Sequence, residues 1–112
     1  MTQDKEIFNR EELLDRLSGD EETITIIVSV FIEDVSSQAE ELRNAIESEQ
    51  LKKIEQIAHR IKGSSANISA GAINKICFQM ESLAKNNDLS TIKSIFPEFI
   101  EQIQKFKEHC RV

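Results

Sequence analysis

Ala58-His59-Arg60-Ile61-Lys62-Gly63-Ser64-Ser65-Ala66-Asn67 closes a segment in which Leu51, Ile54, Ile57, Ala58, Ile61 and Ile68 recur at helical spacing. Those apolar positions define one buried stripe, so the stretch reads as an amphipathic helix laid on a core. At about 100° per residue, His59 projects roughly 150° from the centre of that stripe and faces water. Gly63 and Ala66 lie one and two turns further along the same face, so nothing bulky shields the imidazole there. A glycine inside a helix costs roughly 1 kcal/mol relative to alanine. Close approach of a second molecule to His59 is a physical reason for keeping one.

The flanking sequence extends the same periodicity. Asn9 followed by Glu12 reads as a capping pair, with Phe8 and Leu13 at the positions of a hydrophobic staple. They open a short helix over about residues 10–17, closed by Ser18-Gly19 with Gly19 at its C′ position. Asp20 caps a long helix whose stripe runs Ile24, Ile27, Val28, Phe31, Val35, Ala39, Leu42 and Ile46. The β-branched run from Thr23 to Val30 is compatible with a strand, but the continuing 3.6-residue period decides for helix. Apolar periodicity then passes almost in phase through Ser48-Glu49-Gln50. One helix over 21–68 would be about 70 Å long, too long for a domain of this size, so a tight turn is expected near 48–50. Ser69-Ala70-Gly71 breaks the chain again before a helix with Ile73, Ile76, Cys77, Met80, Leu83 and Ala84 inward. Asn86-Asn87-Asp88 turns, with Asp88 or Ser90 as cap. The last helix turns Ile92, Ile95, Phe96, Phe99, Ile100, Ile103 and Phe106 inward, and Pro97 is expected to kink or split it.

The fold class is therefore all-α: an antiparallel up-down four-helix bundle over residues 7–110, with a short extra N-terminal helix and a flexible polar leader over 1–6. Composition agrees. The 112 residues include one Pro and three Gly, and 39% are apolar, with six Phe and no Trp or Tyr. A net charge of −6 argues against a nucleic-acid partner, which needs a basic footprint. No apolar run approaches the ~20 residues of a membrane span, and the opening residues do not read as a signal peptide. Cys77 and Cys110 lack the spacing of a disulfide framework, and Cys77 lies on an apolar stripe as a core residue. These features fit a reduced, cytosolic setting, and a cytoplasmic monomer without membrane contact is expected.

An exposed imidazole, with an unperturbed pKa of about 6.5, is largely neutral at pH 7 and is a competent nucleophile. Lys62, roughly 60° around the same helix, can reach toward whatever the imidazole holds and balance an incoming anion. Gly63 clears the approach. A nucleophile, a nearby cation and an open surface suit phosphoryl transfer between proteins. They do not suit hydrolysis, because no second carboxylate, metal set or enclosed pocket is evident to activate water.

His59-x-x-Lys62-Gly63-Ser64-Ser65-Ala66-Asn67 resembles the signature of histidine phosphotransfer (HPt) domains of bacterial multistep phosphorelays. Phe8-Asn9-x-x-x-Leu13-Leu14 with Gly19-Asp20 is similar to the opening of that family, and four helices follow in family order, so the likeness covers residues 7–107. The resemblance implies that His59 accepts phosphoryl on Nε2 from a receiver-domain aspartate and passes it to another receiver. It implies Lys62 beside the phosphoryl group, receivers docked over His59, no nucleotide site and no autokinase activity. The partners so implied are response-regulator receivers or a hybrid sensor kinase, for a stand-alone carrier or a domain of a sensor histidine kinase. Two positions depart from the family pattern: Ser69 stands where members usually carry Gly, and Ser48-Glu49-Gln50 lacks the usual Gly-Asp.

Other residues read more plainly. Lys52, Gln56 and Ala66 share the exposed face with His59 and are candidate partner contacts. Ser64 and Ser65 point toward the bundle side and are expected to pack there or to bond to backbone carbonyls. His109, near the C-terminus beside Cys110, reads as solvated surface, and Glu40-Glu41 with Glu47 and Glu49 as a solubilising face. A di-metal bundle would need inward Glu-x-x-His pairs, which are absent, so no metal and no cofactor are expected. A kinase dimerisation hairpin would need an ATP-binding domain that these residues do not encode. The remaining rival is a phosphorylation-independent helical adaptor in which His59 is incidental.

Overall fold

In the computed structural model, which describes residues 2–110, six helices follow one another: α1 (Thr2–Ile7), α2 (Arg10–Arg16), α3 (Glu21–Glu47), α4 (Leu51–Asn67), α5 (Gly71–Lys85) and α6 (Leu89–His109). Side chains chosen for the purpose start three of them. Asn9 accepts from the Glu12 N–H, Asp20 from the Thr23 N–H and Asp88 from the Thr91 N–H, all at 3.1 Å. The Asp20 and Asp88 carboxyls are held below the usual carboxylate range by those threonine hydrogen bonds.

The ends of α2, α3, α4 and α5 share one device. A residue in the left-handed region follows each helix: Ser18, Glu49, Ser69 and Asn87, with φ of 56°, 57°, 61° and 58°. The next N–H then reaches back to a carbonyl of the last turn, as Gln50 does to Ala45 at 2.9 Å and Ala70 to Ser65 at 2.8 Å. After α2 both Ser18 and Gly19 are left-handed, Gly19 with φ of 81°, so the C′ position falls on Ser18, one before the expected Gly19. Ser69 likewise supplies the turn leaving α4, so Gly71 is not its turn residue. Gly71 begins α5, where a Cβ would stand 3.0 Å from the Glu6 carbonyl oxygen of α1. The expected turn at 48–50 is present and divides α3 from α4.

The four long helices pack in sequence order, with α6 closing against α3. α3, at about 40 Å, sets the long dimension of a body 42 Å × 25 Å × 21 Å. Leu42, Ile54, Ile61, Met80, Ile92, Phe99 and Phe106 are among the side chains shut completely from water at its centre. Each such side chain contributes about 1.5–3 kcal/mol by burial. Ile27, Leu83, Ile95 and Ile100, expected inward, are only partly buried against that core. Phe106 receives the edges of Phe8 and Phe31, with ring centroids 5.3 and 5.2 Å away.

Two expectations need correction. α6 runs unbroken through Pro97. Of the kink or split expected there, the split is absent, and the proline lies on an exposed side of the helix. The segment 1–6, read as a frayed leader, forms α1 from Thr2 onward, while Met1 lies outside the described residues. α1 is held because Ile7 is buried, because it seats on Gly71, and because Asp4 meets His109 Nε2 at 3.0 Å. His109 is therefore a tie between α1 and α6 rather than free surface. There are two short helices before the bundle, not one.

Candidate functional site

His59 occupies the middle of α4 with its side chain 68% exposed, as the helical phase required. Ile57, Ala58 and Ile61 around it are buried, which fixes the rotation of α4 about its axis. Ser64 and Ser65 donate to the Ile61 and Lys62 carbonyls at 3.2 and 3.0 Å, so their hydroxyls are spent inside the helix. Asn74 of α5 donates to the Lys62 carbonyl at 2.8 Å, tying the two helices together beside the histidine.

α5 brings a residue that the sequence reading passed over. Glu81 is only 7% exposed, and its Oε2 lies 2.8 Å from His59 Nδ1. Its Oε1 accepts from Lys62 Nζ at 2.7 Å, and Lys85 Nζ lies 3.6 Å from Oε2. The Lys62 hydrogen bond holds the Glu81 carboxyl below the usual carboxylate range, with His59 adding to it against the cost of burial. An ionised carboxylate only accepts, so the Nδ1 facing it carries the proton. In the neutral ring that leaves the Nε2 lone pair free and turned outward. The arrangement chooses the tautomer and leaves an imidazole nitrogen able to act as a nucleophile.

Lys62 is half-sheltered rather than free. Its side chain is 28% exposed, bound to Glu81, and lies 5.6 Å from the centroid of the Phe78 ring. The charge nearest the imidazole is therefore the Glu81 carboxylate, with the ammonium one step beyond it. Phe78 is 60% exposed, whereas the other five phenylalanines are buried or packed against the core. Beside this cluster, a Cβ added at Gly63 would meet nothing within 4 Å. Lys52, Gln56 and Ala66 are exposed along the same face of α4. Among the described residues, no group of His, Cys, Asp and Glu side chains is arranged to hold a metal ion.

Signals for the two missed residues existed. Glu81 interrupts an apolar stripe, four residues after Cys77 and three before Ala84, where a lone carboxylate needs a partner. Phe78 is an aromatic side chain off that stripe.

The family model described as Hpt domain matches residues 26–109. The chain belongs to the Hpt domain family. Its fold is similar to that of histidine-containing phosphotransfer protein B (HptB) from Pseudomonas aeruginosa PAO1, with a TM-score of 0.83, 18% identity, and coverage of 93% of this chain and 94% of that one. The sequence is also 29% identical over 98 residues to the phosphorelay intermediate protein rdeA of Dictyostelium discoideum. That match takes in 88% of this Hpt chain but 39% of the relative, so the chain spans well under half of that protein's length. No helix of the described residues is long and apolar enough to cross a membrane.

Proposed function

We propose that the protein is a phosphocarrier of a phosphorelay, taking phosphoryl from an aspartyl phosphate on one receiver domain and giving it to the aspartate of another. The observation that carries this reading is the exposed His59 with Nδ1 against the Glu81 carboxylate at 2.8 Å. In acceptance, the Nε2 lone pair attacks phosphorus and the P–O bond to the aspartyl carbonyl carbon's oxygen breaks. The aspartate carboxylate leaves with the bonding electrons. No proton moves, because Nε2 bore none, and the ring becomes a phosphoimidazolium whose Nδ1–H faces Glu81. Donation is the reverse step onto a second aspartate. Lys62 lies within reach to balance the incoming phosphoryl charge, and Gly63 leaves room for the receiver.

Lys52, Gln56 and Ala66 are the contacts proposed for the docked receiver. Such docking is brief and largely preformed, since a relay releases each partner. The reading further takes the carrier as cytoplasmic, monomeric and without autokinase activity.

The test is transfer from a receiver domain carrying labelled phosphoryl. Label is expected on the native protein, in a linkage labile to acid and stable to alkali, and mapped to His59 by fragmentation. No label from any receiver, with binding to one of them intact, would favour the adaptor reading. A second expectation concerns Gly63. Gly63→Gln should keep the fold, because the added side chain meets open space, and should slow transfer about tenfold by standing in the path of the receiver. Unchanged transfer rates would remove the steric role of the glycine.

A further inference from the structure

Asparagine is a poor helix former, because its short amide competes for the backbone of its own helix. Asn74 nevertheless stands within α5, and its amide reaches across to α4. Its Nδ2 donates to the Lys62 carbonyl at 2.8 Å, partly sheltered between the two helices. That bond lies three residues along α4 from His59, about 4.5 Å on.

Lys62 is thereby gripped twice by α5. Its carbonyl takes Asn74, and its ammonium takes Glu81 Oε1 at 2.7 Å. Asn74 and Glu81 are seven residues apart, so they lie on one face of α5, two turns and about 10 Å from each other. The two grips differ in stiffness. The ammonium ends a flexible four-carbon stem and would follow Glu81 through a small slide of α5. The carbonyl belongs to the backbone of α4, where Ser65 Oγ also donates to it at 3.0 Å, and it cannot follow. Apolar burial holds the two helices together but is non-directional. Among the described residues, three hydrogen-bonded side-chain ties cross from α5 to α4. Two end on Glu81 itself, and Asn74 makes the third.

We infer that Asn74 is a positioning residue for phosphoryl transfer: its bond to the Lys62 carbonyl fixes the axial register of α5 and so keeps the Glu81 carboxylate against His59 Nδ1. This rests on the phosphotransfer reading and names a residue that acts on that site without touching the reacting atoms. Without the bond, a slide of about 1 Å would carry Glu81 Oε2 from 2.8 Å to beyond hydrogen-bond reach of Nδ1. The neutral imidazole would then also carry its proton on Nε2, where it blocks attack on phosphorus.

The experiment joins a tautomer measurement to transfer kinetics. Asn74→Ala removes the amide, and Asn74→Asp keeps its size but leaves only acceptors to face the carbonyl. Alanine suits a helix by propensity and aspartate by its charge near the N-terminus, so each variant should melt within about 3 °C of the native protein. Gln79→Ala, which removes an exposed amide elsewhere on α5, is the control. The histidine rings are labelled with nitrogen-15 and read at about pH 8.5, where an ordinary imidazole is neutral. The His59→Gln spectrum separates His59 from His109. Native His59 should show its proton on Nδ1, and both Asn74 variants a shift of that proton toward Nε2. The rate of transfer from a saturating phospho-receiver should fall about tenfold in both, with the half-saturating concentration unchanged. Gln79→Ala should match the native protein in every readout. A native tautomer or a native rate in the Asn74 variants overturns the inference, as does slowing that appears only as weaker receiver binding. Failure of the native protein to take label from any receiver overturns the phosphotransfer reading instead, and the tautomer comparison still decides for or against the register role of Asn74.

Discussion

Replacing His59 by glutamine is expected to reduce phosphoryl acceptance to background while moving the thermal midpoint by no more than about 3 °C. The chemistry is lost because an amide nitrogen has no free lone pair for phosphorus. Stability is kept because the side chain is 68% exposed and its one polar contact is with Glu81, toward which a glutamine amide N–H can be turned. His109 offers no substitute acceptor. Its Nδ1 lies 3.3 Å from the Lys105 carbonyl and its Nε2 3.0 Å from Asp4, so both ring nitrogens sit against protein oxygens rather than open to a receiver. Transfer from a labelled phospho-receiver, read beside a thermal melt, checks both halves. Label persisting on the variant would move the acceptor elsewhere. A large drop in midpoint would mean that the imidazole also supports the bundle.

The phase of His59 was legible because it depends only on its own helix. Ile54, Ile57, Ala58 and Ile61 are all buried, and their positions fix where residue 59 must point. The caps at Asn9 and Asp20 were legible for the same local reason, and packing decided for Asp88 over Ser90 at the start of α6. Helix ends without glycine were harder. Glu49 and Ser69 take a left-handed conformation that costs a non-glycine residue about 1–2 kcal/mol, so only chain length argued for the turn at 48–50. Ser69 is held by the fold: its side chain bonds Glu12 and Arg16 of α2, and its carbonyl accepts from the Asn9 N–H at 3.0 Å. Such contacts join residues more than fifty positions apart, and periodicity cannot show them. Glu81 belongs to the same class. It reaches His59 only because α5 packs on α4 in one register, set in part by Asn74 and the Lys62 carbonyl. Helical phase therefore placed His59 and Lys62, while the Glu81 carboxylate that links them came from packing. α1 escaped notice for a related reason, since its stability lies in Gly71 and His109 rather than in its six residues.

Glu81 is expected to rank its variants in the order Glu, Gln, Ala for the rate of phosphoryl acceptance. In Glu81→Ala the imidazole loses the acceptor that selects its tautomer and Lys62 loses its partner, so transfer should fall about ten- to a hundredfold, as when histidines lose a carboxylate that orients them. In Glu81→Gln an amide oxygen still accepts from Nδ1–H, and orientation survives. The missing negative charge no longer stabilises the phosphoimidazolium, so the loss should be smaller and should appear as lower phosphoryl occupancy at equilibrium with a receiver. Acid sensitivity separates the charge from the geometry. Lys62 and His59 hold the native Glu81 carboxyl below its ordinary value of 4.5. Between those values the unfolded chain binds the extra proton, so the Glu81 contribution is complete above about pH 4.5 and is lost as pH falls through the native value. Urea midpoints measured from pH 7 to pH 3 should therefore fall less steeply for Glu81→Gln than for the native protein. A Glu81→Ala variant that transfers at the native rate would remove this carboxylate from the reaction and leave it a structural anchor for Lys62. A Gln variant as slow as Ala would assign the whole effect to charge, because the hydrogen bond it keeps would then contribute nothing.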